Sequence, residues 1–207
     1  MINKELQKRI LSSIILLPLA YYFIIAGSFY LIFFTIICFL VSIYEWNKMV
    51  RKIEFKFLGT LLIIFSFYTF YKVSISHLWI YVLLVCVSTD IGGYVFGKLF
   101  KGPKLTKISP NKTFSGMIGG YFLSLIFLSI FMDWINHTVN VKWFIITILI
   151  STVSQIGDII VSYFKRLAKI KDTGKIIPGH GGLLDRIDGM IFAFPIFYII
   201  EYSGYLQ

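Results

Sequence analysis

The chain has 207 residues and a formal net charge of +10, yet only 14% of its residues are charged and 57% are hydrophobic, for a mean hydropathy of +0.81. Soluble domains carry about 25% charged residues, so the composition excludes a soluble domain and points to a polytopic membrane protein. In that setting the positive charge reads as basic cytosolic loops facing anionic lipid rather than as a nucleic-acid surface, and Cys38 and Cys86, both inside apolar segments, argue against a disulfide framework.

A spanning helix requires about 20 mostly apolar residues. Seven segments qualify: 10–26, 28–46, 57–73, 78–100, 114–132, 142–164 and 187–203, the third being the weakest. Lys4, Lys8 and Arg9 precede the first as they would in a signal peptide. The run is long for that role and lacks an A-x-A site, so an uncleaved span is expected. Cytosolic loops retain Lys and Arg. With the N-terminus inside, 18 of the 20 basic residues fall on the cytosolic side, and only Lys72 and Lys142 fall outside. The expectation is an all-α polytopic membrane bundle of about seven transmembrane helices with a cytosolic N-terminus. Residues 1–76 would form N-terminal transmembrane helices. Residues 77–207 would form a catalytic transmembrane region whose two cytosolic loops join spans four and five and spans six and seven.

The fourth span carries Asp90 about halfway along, where an ionisable group is costly and points to function. Gly92, Gly93 and Gly97 beside it suit close helix packing. The sixth span carries Asp158, with Ser162, Lys165 and Lys169 following on its helical face. An ion pair of Asp158 with Lys165 or Arg166 would explain it structurally. Asp185 and Asp188, three apart at the start of the seventh span, favour another reading. Spans six and seven are antiparallel neighbours, so their cytosolic ends meet and three carboxylates converge. Such a group needs a cation, and a few carboxylates completed by substrate phosphates suit Mg²⁺.

Two loops flank these spans. The turn Pro178-Gly179-His180-Gly181-Gly182 is not a Walker A loop, and no G-x-x-x-x-G-K-[ST] occurs. Its glycines allow backbone N–H groups to turn toward an anion, although a plain turn has the same composition. The stretch from Lys104 to Thr113 reads first as a basic cytosolic loop. Thr106, Ser109, Asn111 and Thr113 add hydrogen-bonding groups that charge bias does not require.

Taken together, Ser162-Tyr163-Phe164-Lys165-Arg166, Lys171-Asp172, Pro178-Gly179-His180-Gly181-Gly182 and Asp185-Arg186-Ile187-Asp188 resemble the C-terminal signature of the phosphatidate cytidylyltransferases, the CDP-diacylglycerol synthases. Residues Asp90 to Gly97, Ile108 to Thr113 and Gly157-Asp158 are similar to the same family, and the likeness covers about residues 80–200. Two departures stand out. Ser115 occupies a position where family members often carry Glu, and longer relatives have additional N-terminal spans. The resemblance implies transfer of CMP from CTP to phosphatidate in phospholipid biosynthesis, at the inner (plasma) membrane with the site facing the cytosol. It implies Asp158, Asp185 and Asp188 as metal ligands for Mg²⁺, a second cation being left open. Lys165, Arg166 and Arg186 would hold phosphates beside them. Ser109, Asn111 and Lys112 would bind CTP or pyrophosphate, and Asp90, Lys171, Asp172, His180, Gly181 and Gly182 would complete the substrate-binding set. CTP, phosphatidate and the bilayer are the implied partners, nucleic acid is not, and a homodimer is left open. Two competing classes are weaker. An ion transporter would need polar residues crossing the outer halves of spans four and six, which are almost wholly apolar. A CTP-dependent lipid kinase shares the chemistry class, whereas the D-G-x-x-A-R motif of CDP-alcohol phosphotransferases is absent.

Overall fold

The structure is a computed structural model that describes residues 25–76, 78–106, 108–179 and 181–206, together with 14, 18, 19 and 21–23. Among the described residues, the delimited helices are α1 Ser28–Met49, α2 Ile53–Ile75, α3 Trp79–Phe100, α4 Phe114–Trp134, α5 Val141–Leu167, α6 Leu184–Ile187 and α7 Met190–Tyr202. Among the described residues there is no strand, only isolated bridges between Lys104 and Thr113 and between Ile177 and Gly181.

Helices α1 to α5 have 21 to 27 residues and are apolar enough to cross a membrane. At about 1.5 Å per residue each spans roughly 30 Å or more. They correspond to the expected spans two to six, so the chain is a multi-pass membrane protein. The expected first span lies largely outside the described residues. The expected last span is shorter than read. Residues 187–203 divide into the end of α6, a break at Asp188 and Gly189, and the 13-residue α7 with Pro195 inside it.

The chain forms two compact units, 1–71 with 164–187, and 72–163 with 188–207. In the second unit, Tyr81 is fully buried and its ring packs against Phe131, Trp143 and Phe197. Hydroxyl groups replace charge as the polar glue. Tyr81 bonds Thr147 at 2.8 Å, Thr89 donates to Ser151 at 2.8 Å, and Tyr121 bonds Thr152 at 2.9 Å. Such hydroxyls can also bond their own helix, as Thr89 can to the Val85 carbonyl at 2.7 Å, its single proton serving Ser151 or Val85 at a time. Helices α3 and α4 touch backbone to backbone through Gly92, Gly116, Gly119 and Gly120. A Cβ on Gly92 would overlap the Gly119 carbonyl. That close approach is the packing role expected of Gly92.

In the first unit, Trp46 at the end of α1 anchors the return of the chain. Its ring packs edge-on against Phe164 with centroids 5.0 Å apart, and its Nε1 donates to the Phe55 and Lys56 carbonyls at 3.3 Å. Phe55 adds a second edge contact to Phe164 at 5.4 Å. The C-terminal end of α5 and the segment after it therefore belong with α1 and α2.

Candidate active site

The residues singled out from sequence divide between the two units. The second holds Asp90, Ser109, Asn111, Lys112, Asp158 and Asp188. The first holds Lys165, Arg166, Lys171, Asp172, Gly181, Gly182, Asp185 and Arg186. His180 lies outside the described residues.

In the second unit the segment between α3 and α4 is a tight loop. Leu105 N donates to the Lys112 carbonyl at 2.7 Å, Lys112 N to the Ser109 carbonyl at 3.0 Å, and Phe114 N to the Pro103 carbonyl at 3.0 Å. Thr113 caps α4, its Oγ1 accepting from Gly116 N at 3.1 Å. This is the hydroxyl-to-amide cap that Thr commonly provides. Ser115 then closes the base of the loop by accepting from Gly102 N at 3.2 Å. With both ends tied, Lys112 reaches α5, and its Nζ forms an ion pair with Asp158 Oδ2. Asp158 Oδ1 accepts from Ser162 Oγ one turn on, at 3.2 Å. The two charged side chains are 24% and 28% exposed, so water and ligands reach them. Ser109 is half-buried, Asn111 exposed, and Asp90 exposed on α3.

Asp188 is buried, with Oδ1 accepting from Gly189 N at 2.9 Å. Its carbonyl lies 3.0 Å from where a Cβ on Gly157 would stand, and a Cβ on Gly189 would overlap Ser154. The break between α6 and α7 is thus pressed onto α5 beside Asp158, with glycine on both surfaces allowing it.

In the first unit Asp185 is the organiser. Its Oδ1 accepts from Lys165 Nζ at 2.9 Å, and the pair is 11% and 5% exposed for the lysine and the aspartate. Oδ2 accepts from Thr173 N at 2.7 Å, Gly182 N at 3.0 Å and Thr173 Oγ1 at 3.1 Å. These bonds draw the chain on both sides of the glycine turn toward one carboxylate. Ile177 N bonds the Gly181 carbonyl at 3.0 Å, and Gly179 and Gly181 adopt φ of 76° and 89°, which only glycine enters easily. Arg166, Lys171, Asp172 and Arg186 are exposed around this loop, and Arg166 Nη1 donates to the Ile170 carbonyl at 3.3 Å.

The sequence suggested Lys165 or Arg166 as the structural partner of Asp158. The structure gives that aspartate Lys112 and gives Lys165 to Asp185. Glu45, which sequence reasoning passed over, is almost fully buried beneath the glycine turn. An acidic residue inside an apolar span was the available signal.

The donor set bears on a metal. Carboxylate oxygens suit a hard divalent cation. Asp158 fits best, because it is partly exposed and already holds a positive charge in the Lys112 ammonium. Asp185 is already bonded by Lys165 on Oδ1 and by the loop on Oδ2, so it has less to offer a cation. Among the described residues, no three acidic, histidine or cysteine side chains stand together as a ready ligand set, so substrate oxygens would have to supply the remaining ligands.

The sequence profile of the Cytidylyltransferase family matches residues 73–203. The chain is 37% identical to the phosphatidate cytidylyltransferase of Rickettsia felis over 216 aligned residues, covering 96% of this chain and 93% of that protein. It is 42% identical to the phosphatidate cytidylyltransferases of Staphylococcus haemolyticus and Staphylococcus aureus over 127 residues. Those alignments cover 60% of this chain and 48% of the staphylococcal proteins.

Proposed function

The chain belongs to the cytidylyltransferase family, and on that premise we infer that it transfers CMP from CTP to phosphatidate, giving CDP-diacylglycerol and pyrophosphate. The observation that carries this reading is the likeness to the Rickettsia felis enzyme, which runs through nearly all of both chains. In the reaction an oxygen of the phosphatidate phosphate attacks the α-phosphorus of CTP. The bond between that phosphorus and the oxygen bridging to the β-phosphate breaks, and pyrophosphate leaves with the electron pair.

Crowded phosphates are the main obstacle, and the chain meets them with fixed cations. Lys165 is held by Asp185, and Arg166 and Arg186 stand exposed beside the same loop. In the other unit Lys112, Ser109 and Asn111 sit on a loop tied at both ends and offer donors to CTP or pyrophosphate. Preset donors of this kind act without reorganising during the reaction. Mg²⁺, held by Asp158 and Asp188, would supply further neutralisation of phosphate charge. Lys112 would exchange its carboxylate for a phosphate as substrate arrives. The multi-pass fold lets the acyl chains stay in lipid while CTP arrives from the water. The excess of Lys and Arg in the loops that carry the site favours the cytosolic face of the inner membrane.

The test is label transfer. Purified protein with phosphatidate, Mg²⁺ and γ-labelled CTP should release labelled pyrophosphate and leave the lipid unlabelled. Labelled lipid would identify a CTP-dependent kinase instead.

A further inference from the structure

Glu45 lies on α1, outside the stretch that the family profile matches. The residue is 1% exposed. Oε2 accepts from Leu184 N at 2.8 Å and from Thr173 Oγ1 at 3.0 Å, and Oε1 accepts from Leu183 N at 3.2 Å. A carboxylate out of water needs such donors, because an unsatisfied one is costly. Two glycines, Gly182 of the signature and Gly174 just before it, make its seat. A Cβ on Gly182 would overlap Thr173 Oγ1 first and would stand 2.5 and 2.6 Å from the two Glu45 oxygens, and one on Gly174 would overlap Glu45 Oε1 first. Neither glycine is needed there for a left-handed backbone, so at these two positions the requirement is space.

Glu45 and Asp185 share Thr173. Its hydroxyl stands 3.0 Å from Glu45 Oε2 and 3.1 Å from Asp185 Oδ2, and its single proton serves one of them at a time. The backbone N–H of the same residue goes to Asp185, which holds Lys165. A continuous set of bonds therefore runs from α1 through Thr173 and Leu184 to Asp185 and the Lys165 ammonium.

We propose that Glu45 is a positioning residue for the loop of residues 173–184, so that α1 sets where Lys165 and the glycine turn stand for phosphate binding. The link to turnover rests on the cytidylyltransferase reading. The structural part does not. Glu45→Gln keeps the shape but replaces one accepting oxygen with an amide that faces donors. Gly174→Ala keeps the carboxylate and fills its seat.

The experiment is hydrogen exchange by mass spectrometry on the full chain in detergent, with CMP transfer measured on the same preparations. In both variants, peptides spanning 173–184 should exchange at least about tenfold faster, while peptides from α4 keep their native rates. Turnover should fall by roughly tenfold to a hundredfold, as expected when reacting groups are slightly misplaced. Thr173→Ser, which keeps the hydroxyl, should stay near native in both readouts. If Glu45→Gln does not fold, Gly174→Ala decides. Native loop exchange, or acceleration spread equally over α4, overturns the proposal. So does a loosened loop with native turnover. Absence of CMP transfer by the native protein would defeat the functional reading alone, and exchange would still decide whether Glu45 holds the loop.

Discussion

Replacing Asp185 with Asn separates a carboxylate that holds the fold from one that only meets ligands. The native side chain accepts one bond from Lys165 Nζ on Oδ1, and bonds from Thr173 N, Gly182 N and Thr173 Oγ1 on Oδ2. An amide has one accepting oxygen. With that oxygen at the Oδ2 position, the NH₂ group faces the lysine ammonium. Flipped, it faces two backbone N–H groups. Either way donor meets donor, and with side-chain exposures of 5% and 11% water offers little relief. Breaking a buried ion pair costs about 3–5 kcal/mol, and the remaining access at Lys165 favours the lower end, about 3 kcal/mol. For a chain of this size that corresponds to a fall in melting midpoint of about 6–12 °C. Asp158→Asn is the comparison. Its pair with Lys112 is 28% and 24% exposed and is worth at most about 1 kcal/mol, so its midpoint should move by less than about 4 °C. Its turnover should nevertheless fall on the order of 10²-fold through lost charge stabilisation. Melting in one detergent and CMP transfer on the same preparations give both readouts. Adding Lys165→Met to Asp185→Asn should recover part of the lost stability, because the unpaired ammonium is gone. An Asp185→Asn midpoint within 2 °C of native, or one equal to that of Asp158→Asn, would refute the assignment of Asp185 as the loop's organiser.

Two further outcomes follow from the packing and from the charge distribution. Gly92→Ala should lower stability by about 1–3 kcal/mol, since its Cβ would meet the backbone of Gly119 and Gly120. Gly93→Ala should be nearly neutral in the same melting assay, because the nearest atom is 3.8 Å away. Cysteines introduced at Lys104 and Lys175 should react with an impermeant thiol reagent only from the cytosolic side, and labelling from outside intact cells would reverse the orientation.

The apolar runs made α1 to α5 legible to within a few residues, because the bilayer demands a length that loops and soluble helices lack. The end of the chain was less legible. The break between α6 and α7 is set by Gly189 against Ser154 and by Asp188 against Gly157, contacts that connect segments 30 residues or more apart. Helical periodicity has the same blind spot for charge. It pairs Asp158 with Lys165 or Arg166 on its own helix, whereas the structure brings Lys112 from a loop 46 positions away. The signature residues were visible as a group, but their division of labour was not. Asp158 is open to ligands, while Asp185 is bonded by the chain on both oxygens.

Glu45 shows what a local reading misses and why. The sequence places Glu45 near the end of an apolar span, with nothing nearby in the chain to mark its partner. Its actual surroundings are two glycines and three donors from residues 173–184, more than 120 positions later. The glycines at 174 and 182 look like turn formers when read alone. Beside a buried carboxylate they become the space it occupies. The same argument that made Asp90 conspicuous, an ionisable group inside an apolar span, applies with more force to Glu45. Asp90 is exposed on α3, whereas Glu45 is sealed from solvent and hydrogen-bonded to the loop that organises the candidate site.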